Sequence, residues 1–196
     1  MAFAQTLGLD CNRIQFTPDV MPSDVIGFTM YNRVTNSFDY KPGAVMCNIL
    51  LADEINRTSP KTQSALLQAM EEGSVTVDGV TRKLPDPFFV IATQNPFGST
   101  GTQKLPDSQM DRFMISLKLG YPTVEDEIEI MKSRKDFSQR IRSKKVVEIE
   151  QLKQLQELVS QIFVDDSIYE YVALIAKASR HWNGILQGIS PRGCIA

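Results

Sequence analysis

Two adjacent carboxylates, Asp53 and Glu54, follow directly on the apolar run Ile49-Leu50-Leu51-Ala52. Aliphatic side chains belong in a core and carboxylates in water, so this junction marks a buried element reaching a surface. In open parallel sheets, ligands bind in the crevice outside the carboxyl ends of the strands. Two acids delivered there have a definite chemical use. The first orients a hydrated magnesium ion on a nucleotide, and the second polarises the water that attacks the terminal phosphate. Mg2+ suits carboxylate oxygens and keeps several waters. The same pair also reads as two charges that merely solvate a strand end. Three further stretches shift the balance toward chemistry. Gln94 and Asn95 close "VIATQNP" and offer neutral polar groups for a water or a phosphate, although Asn95 also suits a turn before Pro96. "LPDSQMDRF" is expected to place Arg112 in a short helix before the next strand, where a guanidinium fixed near the helix end can reach a phosphate in a neighbouring subunit; a surface pair with Asp107 or Asp111 is the alternative. Arg192 in "GISPRG" falls in the first turn of a helix, where it also reads as a solvated residue.

Such residues need elements to hold them. "VMCNILLA" (45–52) is a continuous apolar run, the pattern of a strand buried on both faces of a parallel sheet. "RIQF" (13–16), "PFFVIAT" (87–93) and "MISLKLG" (114–120) read as further strands. Ser59-Pro60 is a helix start, with a capping hydroxyl before proline at the first helical position; that helix carries Leu66, Leu67 and Met70 on one side and stops at Gly73. Residues 30–43 and 74–84 read as hairpins, the second turning at Asp78-Gly79. Residues 1–9 read as the tail of an amphipathic helix, and Ser23 as the cap of a short one. Beyond Tyr121-Pro122 the pattern becomes helical. Thr123 caps one helix, Leu152 to Ile162 mark a second, a third starts near Asp165 or Asp166, and Ser190-Pro191 opens a fourth. A basic link, "SRKDFSQRIRSKK" (133–145), joins the first two. The expected organisation is an α/β core at 1–121 and a helical piece at 122–196.

The bulk composition is that of an ordinary globular chain, hydrophobic at 42% and charged at 22% over 196 residues. The net charge of −2 gives no sign of nucleic-acid binding through bulk charge. No apolar stretch approaches the roughly 20 residues of a membrane span, and "MAFAQTLGLD" lacks a basic leader, so a cytoplasmic location is expected. A single histidine, His181, argues against a multi-histidine metal site or a histidine-based triad. Cys11, Cys47 and Cys194 are scattered singly, without ligand spacing or a disulfide framework.

The chain resembles the MoxR group of AAA+ ATPases through nearly its whole length. The residues that carry the resemblance are "RIQFTPDVMPSD", "ILLADEINRTSPKTQSALLQAMEE", "VTVDG", "LPDPFFVIATQNP", "GTQKLPDSQMDRF", "GYPT" and "SPRG". The resemblance implies a three-layer α/β core built on a parallel sheet, of the P-loop NTPase type, followed by a small helical lid. It implies ATP and Mg2+ as cofactors. Asp53 then lies on the metal and Glu54 is the catalytic carboxylate of the Walker B strand. Asn95 matches sensor 1, Arg112 the arginine finger acting across a subunit boundary, and Arg192 sensor 2, reaching from the lid to the phosphates. The hairpin at 30–43 matches the insert within helix 2, and that at 74–84 the hairpin before sensor 1. Asn56 and Arg57 sit in the motif without an assigned catalytic role; a structural contact between neighbouring subunits is the expected use of Arg57. The resemblance further implies a ring, usually hexameric, that remodels or activates protein clients, often with a partner carrying a von Willebrand A-type domain.

One departure stands out. G-x-x-x-x-G-K-[ST] is absent, and "GSTGTQK" (98–104) does not replace it. That loop would supply backbone N–H groups, a lysine and a magnesium ligand. The first strand and the loop are therefore expected to lie outside this polypeptide, the lid to be incomplete, and the chain alone to bind ATP weakly and hydrolyse it negligibly. Two other readings follow: a binding or scaffold module of the same fold without turnover, and a chelatase-type AAA+ subunit.

Overall fold

The structure is a computed structural model that describes residues 2–95, 105–133 and 143–195. The run 98–104 and most of the basic link lie outside these residues. A parallel sheet organises the rest. Its strands are β1 (Cys11–Gln15), β4 (Ile49–Asp53) and β7 (Phe89–Ala92), in the order β1-β4-β7. The register pairs Gln15 with Asp53 and Ala52 with Ala92, so all three strands end at one rim. β4 is central, as its apolar run requires: Leu50 and Ala52 are fully buried.

Leu50 and Ala52 share one cluster with Leu66, Leu67 and Ala69 of α3 (Pro60–Glu72). Burying a leucine side chain of this kind contributes about 1.5–3 kcal/mol. The helix starts and stops where its sequence dictates. Ser59 Oγ accepts from the Thr62 N–H at 3.3 Å and Pro60 occupies the first turn. Gly73 closes the helix in the left-handed region, φ 58°, donating its N–H to Ala69 O. On the opposite face of the sheet, Phe3 of α1 (Ala2–Leu7) meets Phe89 with ring centroids 6.5 Å apart.

Two antiparallel hairpins flank this unit: β2 (Phe28–Asn32) with β3 (Ser37–Lys41), and β5 (Ser74–Val77) with β6 (Val80–Lys83). Asp78 and Gly79 both have positive φ, 51° and 76°, as a two-residue hairpin turn demands. Among the described residues after 121 every regular element is a helix: α5 (Val124–Ser133), α6 (Ile149–Ser160), α7 (Asp166–His181) and α8 (Pro191–Ile195). Thr123 Oγ1 accepts from the Asp126 N–H, so the expected cap is present; α7 starts at Asp166, within the expected place, and Asp165 caps it, its Oδ1 accepting from the Ser167 N–H.

Three expectations need correction. The run 45–52 is a strand only from Ile49. Val45 and Cys47 are buried, but Ala44 and Val45 donate their N–H groups to Asp24 O and Val25 O of α2 (Pro22–Ile26), which diverts this backbone from the sheet. Ser23 lies inside α2; the helix opens at Met21, whose N–H donates to the Asp24 carboxylate at 2.8 Å. The segment 114–120 is not a strand. Leu117 and Leu119 are 79% and 98% exposed. A strand exists only against a partner that takes its N–H and C=O groups, and β7 is an edge of the sheet among the described residues.

Candidate active site

The carboxyl ends of β1, β4 and β7 bring the predicted acids and amide together. Asp53 is the last residue of β4. Its Oδ2 accepts from Arg13 Nε at 2.7 Å, and its Oδ1 from Thr93 Oγ1 at 3.4 Å. Strict alternation would send Glu54 to the buried side of the sheet with Leu50 and Ala52. The backbone avoids this. Glu54 takes φ 54°, ψ 46°, a left-handed conformation uncommon for a residue with a Cβ. The N–H of Glu54 is held at 2.9 Å by Thr93 Oγ1. Its carboxylate is thereby turned to the rim, where Oε2 accepts from Arg57 at 2.7 Å and from Gln15 Nε2 at 3.0 Å, and Oε1 from Asn95 Nδ2 at 3.4 Å. These donors, Arg57 first and then Asn95, hold the Glu54 carboxyl below the usual carboxylate range. Glu54 is therefore an ionised acceptor at neutral pH, able to take a hydrogen bond from water.

Behind the rim, the single 3-10 turn Ile55–Arg57 crosses to the β7 side. The Ile55 N–H donates to Thr93 O at 3.0 Å. Asn56 is buried and bonds the backbone of Asn95 twice: its Nδ2 donates to Asn95 O, and its Oδ1 accepts from Asn95 N–H. Gln63 of α3 fastens the turn by donating to Ile55 O and Thr58 O, both at 3.2 Å.

The two predicted arginines lie elsewhere. Arg112 follows the short helix α4 (Asp107–Met110), and its guanidinium is 3.5 Å from Glu71 Oε2. Arg192 of α8 reaches Glu71 Oε1 at 2.5 Å. Both rest on one carboxylate in the last turn of α3, beside a groove of about 280 Å3 lined by Ser64, Gln68, Gln109 and Arg112 among others. α3 begins at the rim, so about 16 Å of helix separates Glu71 from the acids. Arg112 pairs with Glu71, not with Asp107 or Asp111.

Sequence reasoning missed Arg13, Gln15, Thr93 and Gln63. Arg13 and Gln15 carry a usable signal: they alternate along a strand that pairs with β4, and register sets them beside the acids. Arg57 contacts Glu54 of its own chain, a use the sequence did not suggest.

The donor set at the rim is all oxygen. Among the described residues no three His, Cys, Asp or Glu side chains gather to cage a metal. One or two carboxylates fit a magnesium ion that takes its other ligands from waters and phosphates; Asp53, now held by Arg13, is a carboxylate that could serve as such a ligand.

Residues 1–115 match the model of the ATPase family associated with various cellular activities (AAA). The chain is 42% identical over 178 residues to Chaperone MoxR1 of Mycobacterium tuberculosis, covering 91% of this chain and 47% of that protein. The chain belongs to the MoxR family of AAA+ ATPases. It is also 52% identical to YeaC of Bacillus subtilis over all of its 196 residues, which is 61% of that protein. The crystal structure of a candidate ATPase from Cytophaga hutchinsonii superposes with a TM-score of 0.85 at 37% identity, covering 99% of this chain and 62% of that one. The MoxR-family chain thus spans about three-fifths of YeaC and about half of MoxR1. Its α/β parallel-sheet architecture is that of the AAA+ fold, and ATP hydrolysis is the activity of its family. No helix among the described residues is long and apolar enough to cross a membrane.

Proposed function

We propose that this chain carries the catalytic rim of an ATPase that couples ATP hydrolysis to the remodelling of protein partners. The observation that carries the reading is the convergence of Asp53, Glu54 and Asn95 at one end of a parallel sheet, with Asn95 Nδ2 3.4 Å from Glu54 Oε1. Residues 1–121 form the nucleotide-binding core and 122–196 the helical lid. Magnesium, when bound with ATP, neutralises phosphate charge. Asp53, at the end of β4, would hold it. Glu54 accepts a hydrogen bond from the attacking water and draws its proton, and Asn95 orients that water and senses the terminal phosphate. Arg112 serves the phosphate of a neighbouring subunit in an oligomeric ring, and Arg192 reaches phosphates from the lid. Either use requires leaving Glu71. The side chains of these pairs are one-third to nearly one-half exposed, and exposed ion pairs are worth only about 0–1 kcal/mol, so release is cheap.

The chain alone lacks a G-x-x-x-x-G-K-[ST] segment, and we expect it to hold ATP weakly by itself. The test measures ATP binding and hydrolysis on this chain and on the chain joined to an upstream strand and phosphate loop, each with and without Glu54→Gln. In the extended form the substitution preserves binding and lowers turnover by about 10²–10⁴-fold, the usual worth of a general base. Wild-type turnover in Glu54→Gln removes Glu54 from the mechanism and refutes the reading.

A further inference from the structure

We infer that Asn56 is a positioning residue of this site: its buried amide fixes the backbone of Asn95 and so aims the Asn95 side chain at Glu54. The inference rests on the ATPase reading and deepens it.

The sheet ladder gives out just where the site begins. Its last rungs on this side are Thr93 N–H to Ala52 O at 2.9 Å and Ile55 N–H to Thr93 O at 3.0 Å. β7 has ended at Ala92. Asn56, 3% exposed, then takes over with a pair of bonds to one residue: Nδ2 to Asn95 O at 3.1 Å, and Asn95 N–H to Oδ1 at 3.2 Å. A primary amide matches one residue's N–H and C=O in this way because it offers a donor and an acceptor side by side. The opposite amide orientation would face donor to donor and acceptor to acceptor.

Asn56 is itself fixed. Gln63, 5% exposed, donates to Ile55 O and Thr58 O, the carbonyls on either side of the turn that carries Asn56. A continuous chain of bonds therefore runs from α3 through Gln63 and Asn56 to the Asn95 backbone, and from the Asn95 side chain to Glu54. The catalytic contact is long, at 3.4 Å, and a small displacement of the Asn95 backbone breaks it.

Two readouts test this. Amide hydrogen exchange on the chain itself follows the Asn95 N–H; kcat and KM for ATP are measured on the phosphate-loop-extended chain. The variants are Asn56→Leu, which keeps the branched heavy-atom shape and removes both bonds, Asn56→Ala, which removes them with a smaller side chain, and Asn56→Asp, which keeps the acceptor for the Asn95 N–H. In Asn56→Leu and Asn56→Ala, Asn95 exchange accelerates about tenfold or more while the β4 amides keep their protection. Asn56→Asp, which keeps the acceptor but sets its second oxygen against Asn95 O, loses only part of the Asn95 protection, less than either deletion. kcat of Asn56→Leu and Asn56→Ala falls about tenfold or more with KM nearly unchanged, the signature of a contact used after binding. Unchanged Asn95 exchange in both deletions overturns the inference. So does accelerated exchange with wild-type kcat when Asn95→Ala lowers kcat; the ATPase reading then stands without Asn56. If Asn95→Ala also leaves kcat unchanged, the role of Asn95 fails and the inference fails with it, even where exchange responds.

Discussion

Glu54 sits at φ 54°, ψ 46°, and the cost of that conformation can be isolated from the loss of its carboxylate. An L-residue in the left-handed region is strained by about 1–2 kcal/mol relative to the right-handed one, and non-glycine residues persist there only where the surroundings over-determine them. Here the surroundings are the Thr93 hydroxyl on the Glu54 N–H and the Thr93 carbonyl on the Ile55 N–H. Compare Glu54→Ala with Glu54→Gly. Both delete the bonds to Arg57, Gln15 and Asn95, so those terms cancel. Glycine relieves the strain but loses about 0.5–1 kcal/mol through the greater freedom of its unfolded chain. The glycine variant should therefore be the more stable by about 0.7 kcal/mol at the centre of these two ranges, which together span about 0–1.5 kcal/mol. With a urea m-value of about 2 kcal/mol/M, the central value is a midpoint higher by about 0.4 M. The assay is urea unfolding of the two variants followed by circular dichroism, with the m-values compared to confirm a common transition. At an ordinary strand position the sign reverses, because glycine there loses entropy without relieving anything. A glycine midpoint at or below that of alanine would refute the claim that the backbone at 54 is held left-handed to deliver the carboxylate.

Two further outcomes follow from packing and burial. Leu66→Ala removes a fully buried side chain between α3 and the sheet and should cost about 2–5 kcal/mol in chemical denaturation; a loss below about 1 kcal/mol would mean that the α3–sheet contact is not the core it is taken to be. Burial pushes the Cys47 thiol up, so the folded chain keeps it neutral where the unfolded chain ionises. Its contribution to stability is present below the unfolded thiol value of about 8.5 and is lost as pH rises toward the folded value. Thiol labelling at pH 8 should find Cys11 and Cys194, both half-buried, reacting well before Cys47; equal rates would contradict the burial.

Much of this architecture is legible locally. The Ser59-Pro60 start and Gly73 stop of α3, the Asp78-Gly79 turn, the Thr123 cap and the helix start near Asp165 or Asp166 depend on a few neighbouring residues, and each is found as the sequence predicts. The acids at the end of Ile49–Asp53 are legible for the same reason: an apolar run stopping at charge is a local statement about where a strand leaves the core. What escaped depends on partners. The segment 114–120 has strand composition, but composition does not supply the neighbour that a ladder requires. Val45 and Cys47 are apolar because they are buried in the core ahead of the strand, on backbone that Ala44 and Val45 bond to α2, not because they lie in the sheet. The bond between Arg192 and Glu71 joins residues 121 apart, and nothing local to either announces it.

The unequal density of bonding has a consequence for how such a molecule can move. At the rim, Glu54 accepts from Arg57, Gln15 and Asn95, and the turn behind it is bonded through Asn56 and Gln63, both buried. The helices after residue 121 are joined to the sheet unit far more lightly. Among the described residues their links to it include two exposed ion pairs, Lys153 to Asp86 at 3.4 Å and Arg192 to Glu71, and the Val146 N–H to Thr6 O. α6 and α7 bury little of their apolar surface, with Leu158 60% and Leu174 55% exposed. Exposed ion pairs are each worth about 0–1 kcal/mol, whereas undoing the rim strands buried amide groups at about 1–3 kcal/mol apiece. Local opening follows the lower cost. Displacement of α5–α8 thus leaves Asp53, Glu54 and Asn95 in register, while any rearrangement that separates those three has to break Asn56 from its backbone partner first.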